Sequence, residues 1–226
     1  MKIINYILII VVSILFVVCM YHSSEFFSED DLDAIVYINL ENRKDRHSLL
    51  TNELDKMKLN NRKIHKISGV YIPKNGHKGC VQSHILALNM IKLNKWKKTL
   101  ILEDDAEFLV DLNQVLKDVD NEHWDVIMLA TANKQYINDK GYKLKRLQSA
   151  TTSSAYIIKD TYVDTLLGLF NQCNDNTSSE KMNQDKLEPW ALDQQWAKLQ
   201  RNDRWYCFEE DPVTQRNIWS TTESHS

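Results

Sequence analysis

The stretch Thr99-Leu100-Ile101-Leu102-Glu103-Asp104-Asp105-Ala106-Glu107-Phe108 sets three consecutive carboxylates after an apolar run short enough to be a buried strand, with another acid two residues on. Crowded anions in poorly solvated surroundings repel one another, so a divalent cation or a cluster of Lys and Arg is the natural compensation. Magnesium and manganese favour carboxylate oxygen and leave positions open for phosphate. The segment therefore predicts a metal-assisted site for a phosphorylated donor. If strand geometry persists, Glu103 and Asp105 point the same way and approach one metal, while Asp104 faces elsewhere. A capping cluster or a salt-bridged turn is the alternative that carries no chemistry.

Three further segments bear groups suited to such a site. In Ile38-Asn39-Leu40-Glu41-Asn42-Arg43-Lys44-Asp45-Arg46, Asn42 can cap a helix whose first turn carries Arg43 and Arg46. A helix N-terminus offers free N–H groups, and Arg adds a bidentate grip on phosphate; a solvated basic turn is the competing reading. In Lys78-Gly79-Cys80-Val81-Gln82-Ser83-His84, Gly79 allows close backbone approach, and Ser83 and His84 could reach a ribose, phosphate or sugar hydroxyl. Toward the C-terminus, Pro189-Trp190-Ala191-Leu192-Asp193-Gln194-Gln195-Trp196 places Asp193 among bulky aromatics. Such surroundings raise a carboxylate pKa toward that of a general base. Trp at helical spacing is also ordinary core.

Positioning these groups requires an α/β domain, because apolar runs alternate with helical periodicity, the pattern of a mainly parallel sheet flanked by helices. Strands are expected at 34–40, 63–68, 99–102, 125–130, 155–158 and 205–208, and helices at 43–57, 81–93, 112–119, 161–170 and 190–200. Val81, Ile85, Leu88 and Ile91 form the face laid on the sheet. Residues 171–186 read as a polar loop. Open α/β sheets bind ligands at the carboxyl ends of their strands, where Asn39 and Leu40, the 103–105 acids and residues 131–133 all emerge.

At 226 residues with 43% apolar content, the chain suits one sizeable domain. Its net charge of -3 supplies no basic field, which argues against nucleic acid as a partner. Residues 3–20 are almost wholly apolar and about long enough to span a bilayer. The expected organisation is a transmembrane anchor over 1–22, an acidic stem over 23–33 and the catalytic domain over 34–226. A cleaved signal peptide, giving a secreted protein, is the alternative for the first segment. The single Lys2 before the span favours a type II orientation with the domain lumenal or exterior. Cys173 and Cys207 are a conceivable bridge, no Cys/His spacing suggests zinc, and Asn176-Thr177-Ser178 is a glycosylation sequon in the polar loop.

Together these segments resemble glycosyltransferase family 25, the lipopolysaccharide and procollagen galactosyltransferase-like enzymes. The matching pieces, in the family's order, are Ile38-Asn39-Leu40 with Arg43 and Arg46, Gly79-Cys80-x-x-Ser83-His84, Leu100-x-Leu102-Glu103-Asp104-Asp105, Trp124-Asp125, Ser154-Ala155-Tyr156-Ile157-Ile158, Asp193-Gln194 and Pro212-Val213-x-Gln215. The resemblance implies a GT-A-like, Rossmann-related fold and a UDP-sugar donor, UDP-galactose by the family's example. It implies a manganese or magnesium ion at Glu103-x-Asp105, with Asp105 the direct ligand and Glu103 or Asp104 toward metal-bound water or ribose. Transfer to a glycan or protein hydroxyl would proceed with inversion, Asp193 taking the proton. Asn39, Leu40, Arg43, Arg46, Gly79, Ser83, His84 and Asp104 would line the donor site. Two other classes remain open from sequence: an inactive binding module or partner subunit on the same fold, and a metal-dependent phosphoesterase.

Overall fold

The computed structural model describes residues 32–57, 63–73, 75–117, 119, 123–137, 143–177 and 189–217. The expected anchor and stem up to residue 31 lie outside the described residues. Among those described, no helix is long and apolar enough to cross a membrane.

Short runs of Ile, Val and Leu form the central strands because their branched side chains suit a surface covered on both sides. β1 (Ala34–Asn39) is buried along its whole length. β1 lies between β2 (Ile64–Ser68) and β3 (Lys98–Glu103), parallel to both. β8 (Ala155–Lys159) then runs antiparallel between β3 and β5 (Val126–Met128). β5 is parallel to β9 (Trp205–Phe208), and β7 (Leu144–Thr151) and β6 (Ala132–Ile137) complete the eight-stranded sheet in antiparallel fashion. The sheet is thus mixed, and its parallel β2-β1-β3 part ends at the acidic segment. β4 (Ala106–Phe108) pairs antiparallel with β10 (Val213–Gln215) in a separate two-stranded ribbon.

Alternation along β1 divides the core in two: Ala34, Val36 and Ile38 pack on one face, Ile35 and Tyr37 on the other. The first face is covered by α2 (Gly76–Asn94) and α4 (Asp160–Asn176), whose buried residues include Val81, Leu88, Ile91, Leu166 and Phe170. The second is covered by α1 (Lys44–Lys56) through Leu50 and Leu54, and by α3 (Leu112–Leu116). Asn75 caps α2 by accepting from Lys78 N at 3.0 Å, and Lys95 closes the helix at φ 58°. Two short helices, α5 (Leu192–Gln195) and α6 (Ala197–Asn202), precede β9.

Several local expectations change. Arg43, rather than Asn42, is the N-cap of α1, and it makes no side-chain cap bond. α4 continues through Asn176, so the start of the expected polar loop is helical. The sequon therefore begins on that helix: Asn176 Nδ2 donates to Gln172 O at 2.8 Å, and buried Thr177 bonds Cys173 O. Cys80, Cys173 and Cys207 are free thiols, so the conceivable bridge is not formed. Trp196 is core, wholly buried against Tyr156, Phe170 and Trp205.

Candidate donor site

The carboxyl ends of β1 and β3 and the first turns of α1 and α2 enclose a cavity of about 90 Å³. Leu40, Arg43 and Arg46 line one side, Glu103, Asp104, Asp105 and Gln215 the floor, and Cys80, Ser83 and His84 the wall made by α2. Residues 69–72 form the rim, where Tyr71 is 57% exposed. Enclosed small-molecule sites are generally about 300 Å³ or more, so a larger ligand must lie partly along this rim.

Arg46 is the internal counter-charge of the acidic cluster. Its Nη1 donates to Asp104 Oδ1 at 2.9 Å and to Asp105 Oδ2 at 3.0 Å, with all three residues buried. Asn39 Nδ2 donates to Asp104 Oδ2 at 2.7 Å and to Arg43 O at 3.0 Å, tying β1 to the acids and to the start of α1. Arg43 itself pairs with Asp45 at 2.8 Å. The expected alternation does not persist: the strand ends at Glu103, the two aspartates lie in a turn, and both reach Arg46.

Glu103 is held separately. His84 Nε2 lies 3.1 Å from Glu103 Oε1, Ser153 Oγ donates to the same oxygen, and His84 Nδ1 lies 3.0 Å from Tyr156 Oη. Burial pushes the Glu103 carboxyl up, but His84, Ser153 and Arg46 together hold it below the ordinary value. Asp105 goes the other way. Burial first, and then the Glu103 charge, raise it to about 6 despite Gln215 and Arg46. Gln215 Nε2 donates to Asp105 Oδ2 at 3.1 Å, so the β4–β10 ribbon brings the C-terminal segment onto the cluster.

An Asp raised above its unfolded value of about 3.9 contributes stability that is complete below that pH and is lost as pH rises through about 6. Asp105→Asn lacks that loss. Between pH 4 and 7 the variant should gain on the order of 2 kcal/mol relative to the parent chain. Urea unfolding at several pH values checks this; a constant difference across the window contradicts the assignment.

The wall has a packing reason for its glycine. A Cβ on Gly79 would fall 2.4 Å from Val70 O, while Ser83 Oγ accepts from Val70 N at 2.8 Å and donates to Gly79 O at 2.7 Å. Ser83 and Gly79 thus dock the rim on α2, and Ser83 already has its partners. Gly79→Ala is expected to displace residues 69–72 and cost about 1–3 kcal/mol, measured by denaturant unfolding. A cost below about 0.5 kcal/mol would mean that Val70 yields freely.

Asp193 is not among the cavity-lining residues. Its Oδ2 accepts from Thr152 N at 3.0 Å, at a residue held at φ 73°, and Oδ1 takes no hydrogen bond among the described residues. Thr152 leads into Ser153 and Ser154, which bond Glu103 and Asp105 respectively. Asp193 therefore braces the loop behind the acids and stands close enough to Cys80 to help push that thiol up, after burial and Glu103. Sequence reasoning gave no site role to Ser153, Tyr156, Tyr71 or Gln215, although Tyr156 and Gln215 stand in the matching family pieces; for Ser153 the Ser153-Ser154 pair opening an apolar strand was the available signal.

The donor chemistry fits a hard cation. Among the described residues, Asp105 Oδ1 holds only a 3.3 Å bond from Ser154 and the bonds to Glu103 fall on Oε1, which leaves one oxygen of each carboxylate for a cation.

The mixed α/β sheet, whose strand ends gather buried acids and arginines into one cleft, has a GT-A-like neighbour among solved structures. The family model for glycosyltransferase family 25 (LPS biosynthesis protein) matches residues 63–187, more than half of the chain. The chain belongs to glycosyltransferase family 25, and a glycosyl-transfer role follows from that membership. Among solved structures, it is similar to a glycosyltransferase involved in the glycosylation of the major capsid of PBCV-1, at 8% identity and TM-score 0.51 over 84% of this chain and 95% of that one. It also matches A197 from STIV, at 11% identity and TM-score 0.49 over 84% and 87% of the respective chains. At these identities the likeness to the PBCV-1 protein is one of fold. Comparison with curated proteins finds no match.

Proposed function

We propose that this chain transfers a hexose, galactose by family resemblance, from a UDP-sugar to a glycan or protein hydroxyl with inversion. The observation that carries the reading is the convergence of Glu103, Asp104 and Asp105 with Arg43 and Arg46 on one cleft. Arg43 and Arg46 suit the donor diphosphate, and Tyr71 at the rim offers an aromatic face to the base. Asp105, with Glu103 Oε2, would hold a magnesium or manganese ion, which when bound offsets charge developing on the leaving diphosphate. Asp104 stays with Asn39 and Arg46 and fixes the turn. Asp193, whose Oδ1 takes no hydrogen bond among the described residues, is the candidate base for the acceptor hydroxyl. The apolar 3–20 segment supports a type II anchor with this domain lumenal or exterior.

Incubating the detergent-solubilised full chain with individual UDP-sugars, with manganese or with EDTA, tests this through UDP release. Release with one hexose donor, suppressed by EDTA, is expected. No release with any donor would count against transfer and favour a binding module on the same fold.

A further inference from the structure

We infer that Cys80, His84 and Glu103 form a second, softer metal site that takes a zinc-class divalent ion, distinct from the hard-cation position at Asp105. Cys80 and His84 stand four residues apart on α2, on the side facing the end of β3, so one helical turn presents both to Glu103. One ligand atom from each of the three residues lies within 4.8 Å of the others. His84 Nε2 is 3.1 Å and Cys80 Sγ 3.9 Å from Glu103 Oε1. Zinc–nitrogen and zinc–oxygen bonds of about 2.0–2.2 Å and a zinc–sulfur bond of about 2.3 Å, set at tetrahedral angles, call for N···O near 3.4 Å and S···O near 3.6 Å. Both edges are met with shifts of a few tenths of an ångström. Ser153 Oγ, 4.0 Å from Cys80 Sγ, borders the fourth position.

The ligand set is borderline-soft, whereas magnesium and manganese prefer the oxygens of Asp105. His84 is fully buried, and its ring is already oriented by Tyr156 on the Nδ1 side. On binding, Cys80 Sγ releases its thiol proton to solvent. The proton that His84 Nε2 donates to the Glu103 carboxylate leaves that nitrogen as the metal arrives, to solvent or to Nδ1, so that Nδ1–H donates to Tyr156 Oη and the Nε2 lone pair takes the metal. The His84–Glu103 hydrogen bond is replaced by two metal bonds. Because Glu103 also belongs to the proposed donor site, occupation of the softer site would draw that carboxylate away and lower transfer. This last consequence alone rests on the reading above.

The test uses cobalt as a spectroscopic substitute for zinc, added to the metal-free full chain in detergent without donor. The expected result is a near-ultraviolet sulfur-to-cobalt charge-transfer band that saturates at one cobalt per chain, is displaced by zinc, and is absent in Cys80→Ser. Absence of the band in the parent chain, or its survival in Cys80→Ser, overturns the proposal. X-ray absorption at the zinc edge of the parent chain needs no variant. One sulfur in the shell is expected, and a shell of nitrogen and oxygen alone overturns it. Neither readout involves sugar transfer, so failure here leaves the donor reading standing, and failure of donor turnover leaves this site standing.

Discussion

Asp105→Asn is expected to lower donor turnover by about 10²- to 10³-fold while the chain stays folded, because it removes the charge that would hold a cation against the leaving diphosphate and changes little volume. Loss of metal-assisted charge stabilisation is worth several kcal/mol, and each 1.36 kcal/mol is tenfold in rate. The same substitution removes the buried charge that burial first, and then Glu103, disfavour, so the variant should lose activity and, between pH 4 and 7, gain stability relative to the parent chain. This opposite movement separates a functional charge from a structural one. A purely structural Asp105 would lose stability and activity together. UDP-release kinetics at pH 7 beside urea unfolding at pH 4 and 7 reads both, and a variant with parental turnover would remove Asp105 from the site.

Arg46→Met should be the most destabilising change in the cluster. Arg46 is the charged partner of both Asp104 and Asp105, and all three are buried. Removing one partner of a buried ion pair costs about 3–5 kcal/mol, because the remaining charge is left without compensation. The cost should shrink as pH falls toward about 6, because without Arg46, which holds Asp105 down, Asp105 takes up its proton at a higher pH in the variant than in the parent chain. It should also shrink in the double variant with Asp105→Asn, which leaves a single buried carboxylate. Arg46→Lys retains the charge but not the planar fork, and should fall between. Denaturant unfolding of the variants at pH 5 and 7.5 distinguishes these cases. A loss under 1 kcal/mol for Arg46→Met, unchanged with pH, would mean that Arg46 is not the counter-charge.

Much of the site was legible because its chemistry is local in sequence. An apolar run followed by Glu103-Asp104-Asp105 announces a strand end and an electrostatic problem, and the two compensations expected from sequence were a cation or basic side chains. Arg46 supplies the second, while Asp105 Oδ1, with one long bond from Ser154 among the described residues, is the oxygen the first would use. The six expected strands each correspond to one in the sheet, since continuous apolar runs bounded by polar residues mark buried strands. β6 and β7 were missed because they are polar and half-exposed, and β4 and β10 because they are three residues long. The direction in which each acid points could not be read from alternation, because the chain turns at Asp104 and period-two geometry ends there. Nor could the partners of Ser83, His84 and Asp193, which come from Val70, Tyr156, Glu103 and Thr152 through tertiary contact.

Calorimetric titration of UDP into the full chain, with manganese and again with EDTA, addresses the acidic end of β3 most directly. One UDP bound per chain in the presence of manganese, with binding lost on chelation and in Asp105→Asn, is the predicted result. Failure to bind UDP with manganese present, or equal affinity in EDTA and in Asp105→Asn, would contradict a cation-assisted diphosphate site.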